Sequence, residues 1–526
     1  MPAQANPSQL AAGIHTRLFA RAFIVAEPSD PASRICFVSM DAGMPSQAQK
    51  IALVKKLATK FGPTRYTARN VMISGTHTHS GPSGFFQYVL FDLAGSLFVN
   101  QTFTAFVDGV FDAIVAADAA LQPGSITVAE GEAEGANINR SPSSYLYNPP
   151  AERARYPADT DTALVQLRFD SAAKQPLGIL NWFAAHPTSM NFTNHLISGD
   201  HKGTASQLFE QRQSRGAQLP GTEPFVAAFA STNLGDVSPN TAGPICHAGP
   251  DEGQPCELNT STCQMADVDA QSATNCYSLG PGRDMFESTE IIARKQLVVA
   301  EQLFATKGQA PLSGAVGFSH SFVNMSDVAV PGQGHTCRPS LGYGFAGGTT
   351  DGPGDPPFHQ GCVAGSGCLL AMPGIELLKE VLEDVLCTHR PPKFNDECHH
   401  PKPVLLPTGY MDVPWLWHPE IIDIQLFRIG GLVIAGVPGE FTTMSGRRLR
   451  ESLHAALVRE GLPNSKVVIA GLTNLYTQYI ATPEEYEAQR YEGECSNGLP
   501  QPISTTRLPD ADRCCCEQPR RRSSGR

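Results

Sequence analysis

Two histidines one residue apart, His77 and His79, stand in Gly75-Thr-His-Thr-His-Ser-Gly-Pro82, directly after the apolar run Val71-Met72-Ile73. In an extended chain residues i and i+2 share a face, so both imidazoles would be offered to one point as the chain enters a Gly/Pro loop. Such a pair can supply a metal ligand with an acid/base group beside it; by itself it can also be an ordinary loop pair. Gly178-Ile-Leu-Asn-Trp-Phe-Ala-Ala-His186-Pro-Thr-Ser-Met190 brings another histidine to the end of an apolar run, and Leu432-Val-Ile-Ala-Gly-Val-Pro-Gly-Glu440 brings a glutamate. Two histidines and one carboxylate with a position left open are the usual ligands of a catalytic zinc, which polarises a carbonyl and lowers the pKa of water.

These residues need strands to present them and a core to hold the strands. Phe103, Phe106, Val107, Val110, Ile114 and Val115 recur at helical spacing, and Asp284 to Phe304 reads as a second amphipathic helix. Val165, Leu167 and Phe169 alternate with Gln166 and Arg168, the pattern of a half-buried strand, whereas Val467-Val-Ile-Ala470 reads as a short strand buried on both faces. The expectation is a layered, mixed α/β catalytic domain with functional residues at strand ends and in long loops. The Gly, Pro and Asp content between Gly347 and Gly367 predicts a surface excursion.

With 526 residues, 41% hydrophobic and 17% charged, the composition is that of a large globular protein. A net charge of -11 without a basic stripe argues against a nucleic-acid partner. No window reaches the roughly 18 consecutive apolar residues of a transmembrane segment. Cys246, Cys256, Cys263 and Cys276 lie in a Gly/Pro/Asn/Thr-rich stretch that cross-links explain better than core burial, and four cysteines allow three pairings. A structural zinc is the alternative, without the usual paired Cys-x2-Cys spacing. Asn100, Asn191, Asn259 and Asn324 each open an Asn-x-Ser/Thr sequon. Met1 to Val25 shows no continuous apolar region of a signal peptide.

The three strand-end motifs, together with Asn137-Ile-Asn-Arg-Ser-Pro-Ser-Ser-Tyr145, Asn233-Leu-Gly-Asp-Val-Ser-Pro-Asn240, Leu341-Gly-Tyr-Gly-Phe-Ala346 and Glu484-Glu-Tyr-Glu-Ala-Gln-Arg-Tyr491, resemble the neutral ceramidase family in one continuous order. The resemblance implies hydrolysis of the amide of ceramide (N-acylsphingosine) at a Zn2+ held by His77, His186, Glu440 and Tyr479, with the substrate drawn from a membrane or micelle surface. A phenol ligates well as phenolate, and the field of a dication lowers its pKa from near 10. His79, Arg140 and Tyr491 match the family's other active-site positions, and Ser238 matches its described serine nucleophile. The resemblance also implies pairs Cys246–Cys263, Cys256–Cys276 and Cys337–Cys398, and a secreted or membrane-associated setting. It spans residues 13–493, leaving 1–12 as a divergent lead and 494–526 as an expected disordered tail. A C-terminal immunoglobulin-like β-sandwich and an opening strand are expected to be missing, so the chain reads as truncated at both ends.

Two chemistries compete. Attack by water activated at the metal requires His79 to handle protons, with Arg140 and a tyrosine stabilising the oxyanion. A serine mechanism requires a base beside Ser238 and an acyl-enzyme. Asp-Val-Ser-Pro is not the strained Gly-x-Ser-x-Gly elbow, which favours the water. Plainer roles are open for several residues. Glu440 could be the first-turn acid of a helix from Thr442 to Leu453. Tyr479 and Tyr491 could be core or rim aromatics, Asp236 could close an Asx turn, and His195 and His201 read as solvated loop histidines.

Overall fold

The computed structural model of the chain describes residues 9–93, 97–214, 219–222, 224–247, 251–257, 276–330, 334–354, 358, 360–363 and 374–495. Cys263, Asn259, the first eight residues and 496–526 lie outside them.

Short apolar segments build three larger sheets of three or four strands. The first contains β1 (Ala20–Glu27), β2 (Asp30–Met40) and, after helix α1 (Gln47–Phe61), β3 (Val71–Gly75); β1 and β2 are antiparallel and β2 and β3 parallel. Helix α2 (Asn100–Ala119) leads to β4 (Gly124–Glu132), β5 (Ala163–Ser171) and β6 (Pro176–Phe183), and helix α3 (Asp200–Gln213) leads to β7 (Val226–Ser231). These strands form the second sheet in the order β7-β6-β5-β4, with β7 parallel to β6. After helix α4 (Met285–Ala305) come β8 (Val316–Asn324), β9 (Ile421–Ile429) and β10 (Leu432–Gly436), then helix α5 (Thr443–Arg459) and β11 (Lys466–Ala470). The third sheet runs β8-β9-β10-β11, and its last pair is parallel.

All three sheets meet in one core, where Phe37 and Met72, Leu180 and Trp182, and Phe427 and Ile434 pack together. On the outer face of the first sheet, α1 and α2 bury Leu53, Leu57, Val107, Val110 and Ile114. On that of the second, α3 and α4 bury Ala205, Phe209, Ala293 and Leu297. Burial rather than propensity holds these helices, since a full Leu or Phe contributes about 1.5–3 kcal/mol and isolated helices are marginal. Asp284 caps α4 by accepting from the Glu287 amide.

The mixed, layered α/β expectation therefore holds. β5 differs from its reading, because helix α4 covers the face expected to meet solvent. Gln166 is buried there, with Nε2 donating to Asn181 Oδ1 and to the Ala300 carbonyl, both at 2.9 Å. The 347–367 stretch is not wholly a surface excursion either, since Thr349, Thr350 and Asp351 are buried. Disulfides join Cys256 to Cys276 and Cys337 to Cys398, as the resemblance implied. Among the described residues, no helix is long and apolar enough to cross a membrane.

Candidate metal centre

The parallel strands β3, β6, β7, β10 and β11 carry the candidate residues in the loops after their C-terminal ends. Backbone bonds stitch these loops together: Gly75 N donates to Leu472 O (3.1 Å), His186 N to Val237 O (2.9 Å), and Gly235 N to Phe441 O (2.9 Å). A side chain at Gly75 would press its Cβ to 2.9 Å from Met44 Cα, so the close approach there requires glycine. Two-residue strands Glu440–Phe441 and Tyr479–Ile480 pair in parallel, which sets Glu440 directly beside Tyr479. Glu440 precedes α5 and lies outside its first turn; Thr442 caps that helix by accepting from the Ser445 amide.

The centre is almost dry. His77, His186, Glu440 and Tyr479 are all buried, and His79 is half-buried. The ligand-capable nitrogens of His77, His79 and His186 lie within 4.8 Å of one another. Glu440 Oε2 approaches His186 Nε2 to 2.9 Å and His77 Nε2 to 3.3 Å. The outer ring nitrogens are committed: His77 Nδ1 donates to the Gly43 carbonyl at 2.6 Å and His186 Nδ1 to the Val237 carbonyl at 3.1 Å. With Nδ1 donating, each Nε2 faces the centre as an acceptor, as around a bound metal, and His79 Nε2 lies within hydrogen-bond distance of His77 Nε2 at 3.1 Å. Close as they are, His186 Nε2 and Glu440 Oε2 have no hydrogen-bond partner. Buried polar atoms that converge without bonding one another are the donor set a cation satisfies.

The titrating groups agree with that reading. Burial, then the Arg140 charge, brings His186 down to about 4, and burial with the two neighbouring imidazoles holds His79 well below 6.5. Both rings are thus neutral at neutral pH. Burial and Glu440 raise Tyr479 well above 10, so its phenolate form needs a cation at contact.

Arg140 links this centre to Ser238. Its Nη2 donates to the Tyr479 hydroxyl (3.0 Å) and to the Gly235 carbonyl (2.8 Å), its Nε donates to Glu492 Oε1 (3.0 Å), and its Nη1 lies 3.5 Å from Asp351 Oδ2. Burial opposes the guanidinium charge, but Tyr479, Glu492 and Asp351 outweigh it. Ser238 Oγ donates to Asp351 Oδ1 at 2.6 Å and accepts from the Asn240 amide. The Tyr491 ring meets Tyr479 edge-on at 5.4 Å, and the Arg140 guanidinium lies 5.8 Å from the Tyr491 ring centre.

All eight candidate residues thus fall in one connected cluster, with Ser238 reached through Asp351 and Arg140. Two histidines divide: His195 is exposed as expected, but His201 is buried, bonded by Nε2 to the His186 carbonyl (3.0 Å) and by Nδ1 to Gln296 Nε2 (2.9 Å). It braces the histidine loop because α3 starts one residue earlier. Asp236 accepts at 2.7 Å from the Thr443 amide that opens α5, so it serves that helix rather than its own turn. Three residues escaped the reading: Tyr476, Glu492 and Asp351. Glu492 directly follows the motif that ends at Tyr491 and Tyr476 stands three residues before Tyr479, whereas Asp351 sits in a Gly/Pro segment with no periodic signal.

The profile of the family described as neutral/alkaline non-lysosomal ceramidase, N-terminal, matches residues 1–497. The chain belongs to that family. It is 42% identical over 558 residues to neutral ceramidase 2 of Arabidopsis thaliana, covering 94% of this chain and 70% of that protein. It is 42% identical over 505 residues to neutral ceramidase of Drosophila melanogaster, covering 93% and 68% respectively. Among solved structures it resembles one titled a ceramidase complexed with C2, at a TM-score of 0.76 and 33% identity, covering 98% of this chain and 75% of that one. It also resembles the neutral ceramidase from Pseudomonas aeruginosa, at 0.73 and 32%, covering 95% and 69%. The matched relatives are named ceramidases, a class of amidohydrolase.

Proposed function

We propose that the chain hydrolyses the amide bond of ceramide to sphingosine and free fatty acid, with residues 13–493 as the catalytic domain and a zinc ion held by His77, His186, Glu440 and Tyr479. The observation that carries this is the convergence of imidazole nitrogens and the unpartnered Glu440 Oε2 in a buried centre, within a chain of the ceramidase family. Two nitrogens, a carboxylate and a phenol are among the nitrogen and oxygen donors that zinc would accept. When bound, the ion would polarise the amide carbonyl and bring the pKa of water near 7.

The chain's own residues do the rest. His79 Nδ1 is buried without a partner and its ring is neutral, so it can take a proton from the attacking water and return it to the leaving nitrogen. Arg140, fixed by Glu492, Asp351 and the Gly235 carbonyl, places positive charge beside the Tyr479 hydroxyl, where an oxyanion would be favoured. Tyr491 walls the same space. Ser238, bonded to Asp351, holds the carboxylate that steadies Arg140. Asp351 is nevertheless a carboxylate within reach of the Ser238 proton, and this favours a second reading in which Ser238 is acylated.

A lipid surface is the proposed source of substrate. The Ile375–Leu386 helix exposes Leu377, Leu378, Val381 and Val385, and the neighbouring Trp415 and Leu416 are half in solvent. The backbone at Leu416 accepts from Val89 in the short Val89–Leu93 helix, whose Phe91 packs on Tyr476 beside Glu440. An apolar face thus leads inward to the centre, as a substrate with two hydrocarbon chains requires. The Cys256–Cys276 and Cys337–Cys398 disulfides support an oxidising, secreted setting.

The test is release of fatty acid from ceramide by the chain before and after chelation, with zinc added back. Loss and recovery of turnover supports the proposal, and full activity of a folded, metal-stripped preparation overturns it. Faster cleavage of N-acylethanolamine or N-acyl amino acids than of ceramide would overturn the substrate. An acyl group trapped on Ser238 and found by mass spectrometry would replace the water by the serine.

A further inference from the structure

Three of the four candidate ligands, His77, His186 and Glu440, have their far atom held by something else. For His77 and His186 the holders are backbone carbonyls, of Gly43 and Val237. For Glu440 the holder is a side chain: the Tyr476 hydroxyl donates to Oε1 at 2.6 Å. The other oxygen, Oε2, is the one that approaches His77 and His186 and has no hydrogen-bond partner. We infer that Tyr476 is a positioning residue for the metal centre, which fixes Glu440 as a one-oxygen ligand by occupying Oε1. The inference rests on the zinc reading of the site and adds a residue and a coordination mode to it.

The geometry gives Tyr476 little freedom to do anything else. Its ring is buried among Met44, Phe85, Phe86, Leu234 and Leu472, and meets the Phe91 ring edge-on at 5.3 Å. It projects from a loop in which Leu472, Asn474 and Gln478 all have positive φ, at 50°, 66° and 65°. Such conformations are sparsely populated for side-chain-bearing residues and persist only when the surroundings over-determine them. Here Asn474 supplies that constraint. Its Oδ1 accepts from the Ile73 amide (3.0 Å) and its Nδ2 donates to Gln425 Oε1 (2.9 Å), pinning the loop to the strand that carries His77. The phenol therefore reaches Glu440 from a rigid base, and Tyr476 reports on strand β3 as well as on the carboxylate.

A short, buried bond from the Tyr476 hydroxyl to Oε1 removes that oxygen from competition for the cation and holds the carboxylate against rotating to bind through both oxygens. Of the three outer partners, Tyr476 is the one whose contribution a substitution can delete while the backbone stays unchanged.

The test is Tyr476→Phe, which keeps the ring against Phe91 and removes only the donor. In chelator competition with zinc, the variant should bind on the order of 10- to 100-fold more weakly than the wild-type chain, the usual effect of losing an outer-shell partner. In the cobalt-substituted protein, the visible absorption of the variant should weaken as Glu440 becomes free to bind through both oxygens and the coordination number rises. Tyr476→Leu, which also disturbs packing, should add a loss of stability that Tyr476→Phe does not share. Zinc affinity within twofold of wild type, together with an unchanged cobalt spectrum, would overturn the inference while leaving the zinc reading standing. If the wild-type chain itself takes up neither ion, the zinc reading fails and this inference fails with it.

Discussion

Replacing Arg140 by methionine tests whether the second layer of the site is held together by one guanidinium. The substitution keeps an unbranched apolar stem and removes a buried charge that faces two carboxylates, Glu492 at 3.0 Å and Asp351 at 3.5 Å, all three side chains being 3% exposed. Deleting one partner of a buried ion pair usually costs about 3–5 kcal/mol, because the remaining charge is left uncompensated. Neither carboxylate would be wholly orphaned: Glu492 Oε2 still accepts from Ser141 Oγ at 2.7 Å, and Asp351 Oδ1 from Ser238 and Asn240. We therefore expect a loss of about 4 kcal/mol rather than twice that. With a urea m-value of at least about 3 kcal/mol/M for a chain of this size, the unfolding midpoint should fall by roughly 1 M. Catalysis should fall by on the order of 10² to 10³, the span for losing one oxyanion donor. Arg140→Met combined with Glu492→Gln should recover at least half of the midpoint shift and none of the rate. A midpoint within about 0.2 M of wild type, the range of a surface substitution, would refute the bridging role.

His79→Ala should lower kcat by on the order of 10² to 10⁴ with stoichiometric zinc retained; loss of zinc along with activity would make His79 a ligand, as its position in the three-histidine cluster allows. Acid should unfold the protein through its buried histidines: burial first, then nearby Lys202 or Lys402, lowers His201 and His399 to about 3 and His418 to about 4. The unfolded chain binds more protons below pH 6.5, so stability is complete above that value and falls toward pH 4, by at most about 4 kcal/mol per pH unit for three such groups; urea midpoints from pH 7.5 to 4.5 measure it, and a flat profile contradicts it. Val381→Asp with Val385→Asp should weaken binding to zwitterionic lipid vesicles and slow turnover of vesicle ceramide, while leaving hydrolysis of a short-chain soluble ceramide unchanged; equal loss on both substrates would place the defect in the centre instead.

What the sequence made legible was periodic or punctuated. Val107, Val110 and Ile114 mark the inner face of α2 because a helix repeats its contacts every three or four residues. His77 and Glu440 stand after apolar runs that end at Gly or Pro, and His186 stands between such a run and Pro187, so both strand and exit are visible. Residues whose partners come from distant segments were not legible. Gln166 reads as a solvent-facing polar residue until α4, more than 100 residues later, is laid over it. Asp351 lies in a segment whose Gly and Pro content reports backbone freedom and says nothing of the Ser238 and Arg140 contacts that fold it inward. His201 looked solvated because the α3 face that buries it is polar at that end: Asp200, His201 and Lys202 are all buried there. Its partner in the next layer, Gln296, comes from α4.

The candidate centre concentrates features that each oppose folding. His77 has φ of 73°, the loop carrying Tyr476 contains three further side-chain-bearing residues at positive φ, and His186 Nε2, Glu440 Oε2 and His79 Nδ1 are buried without hydrogen-bond partners. Strained dihedrals of this kind cost about 1–3 kcal/mol each, and a buried unpaired polar group about as much. The rest of the fold must supply that, and it does so through backbone bonds that join loops from all three sheets. A cation at the centre would satisfy the unpaired atoms without relieving the strained dihedrals. Its stabilisation, RT ln(1 + [L]/Kd), is therefore added to a frame that is already assembled, about 2.7 kcal/mol at a hundredfold excess over Kd. Because His77, His186, Glu440 and Tyr479 come from segments up to 402 positions apart, the proposed ligand set cannot form in the unfolded chain, and metal binding there would report complete folding of the three sheets rather than a local event.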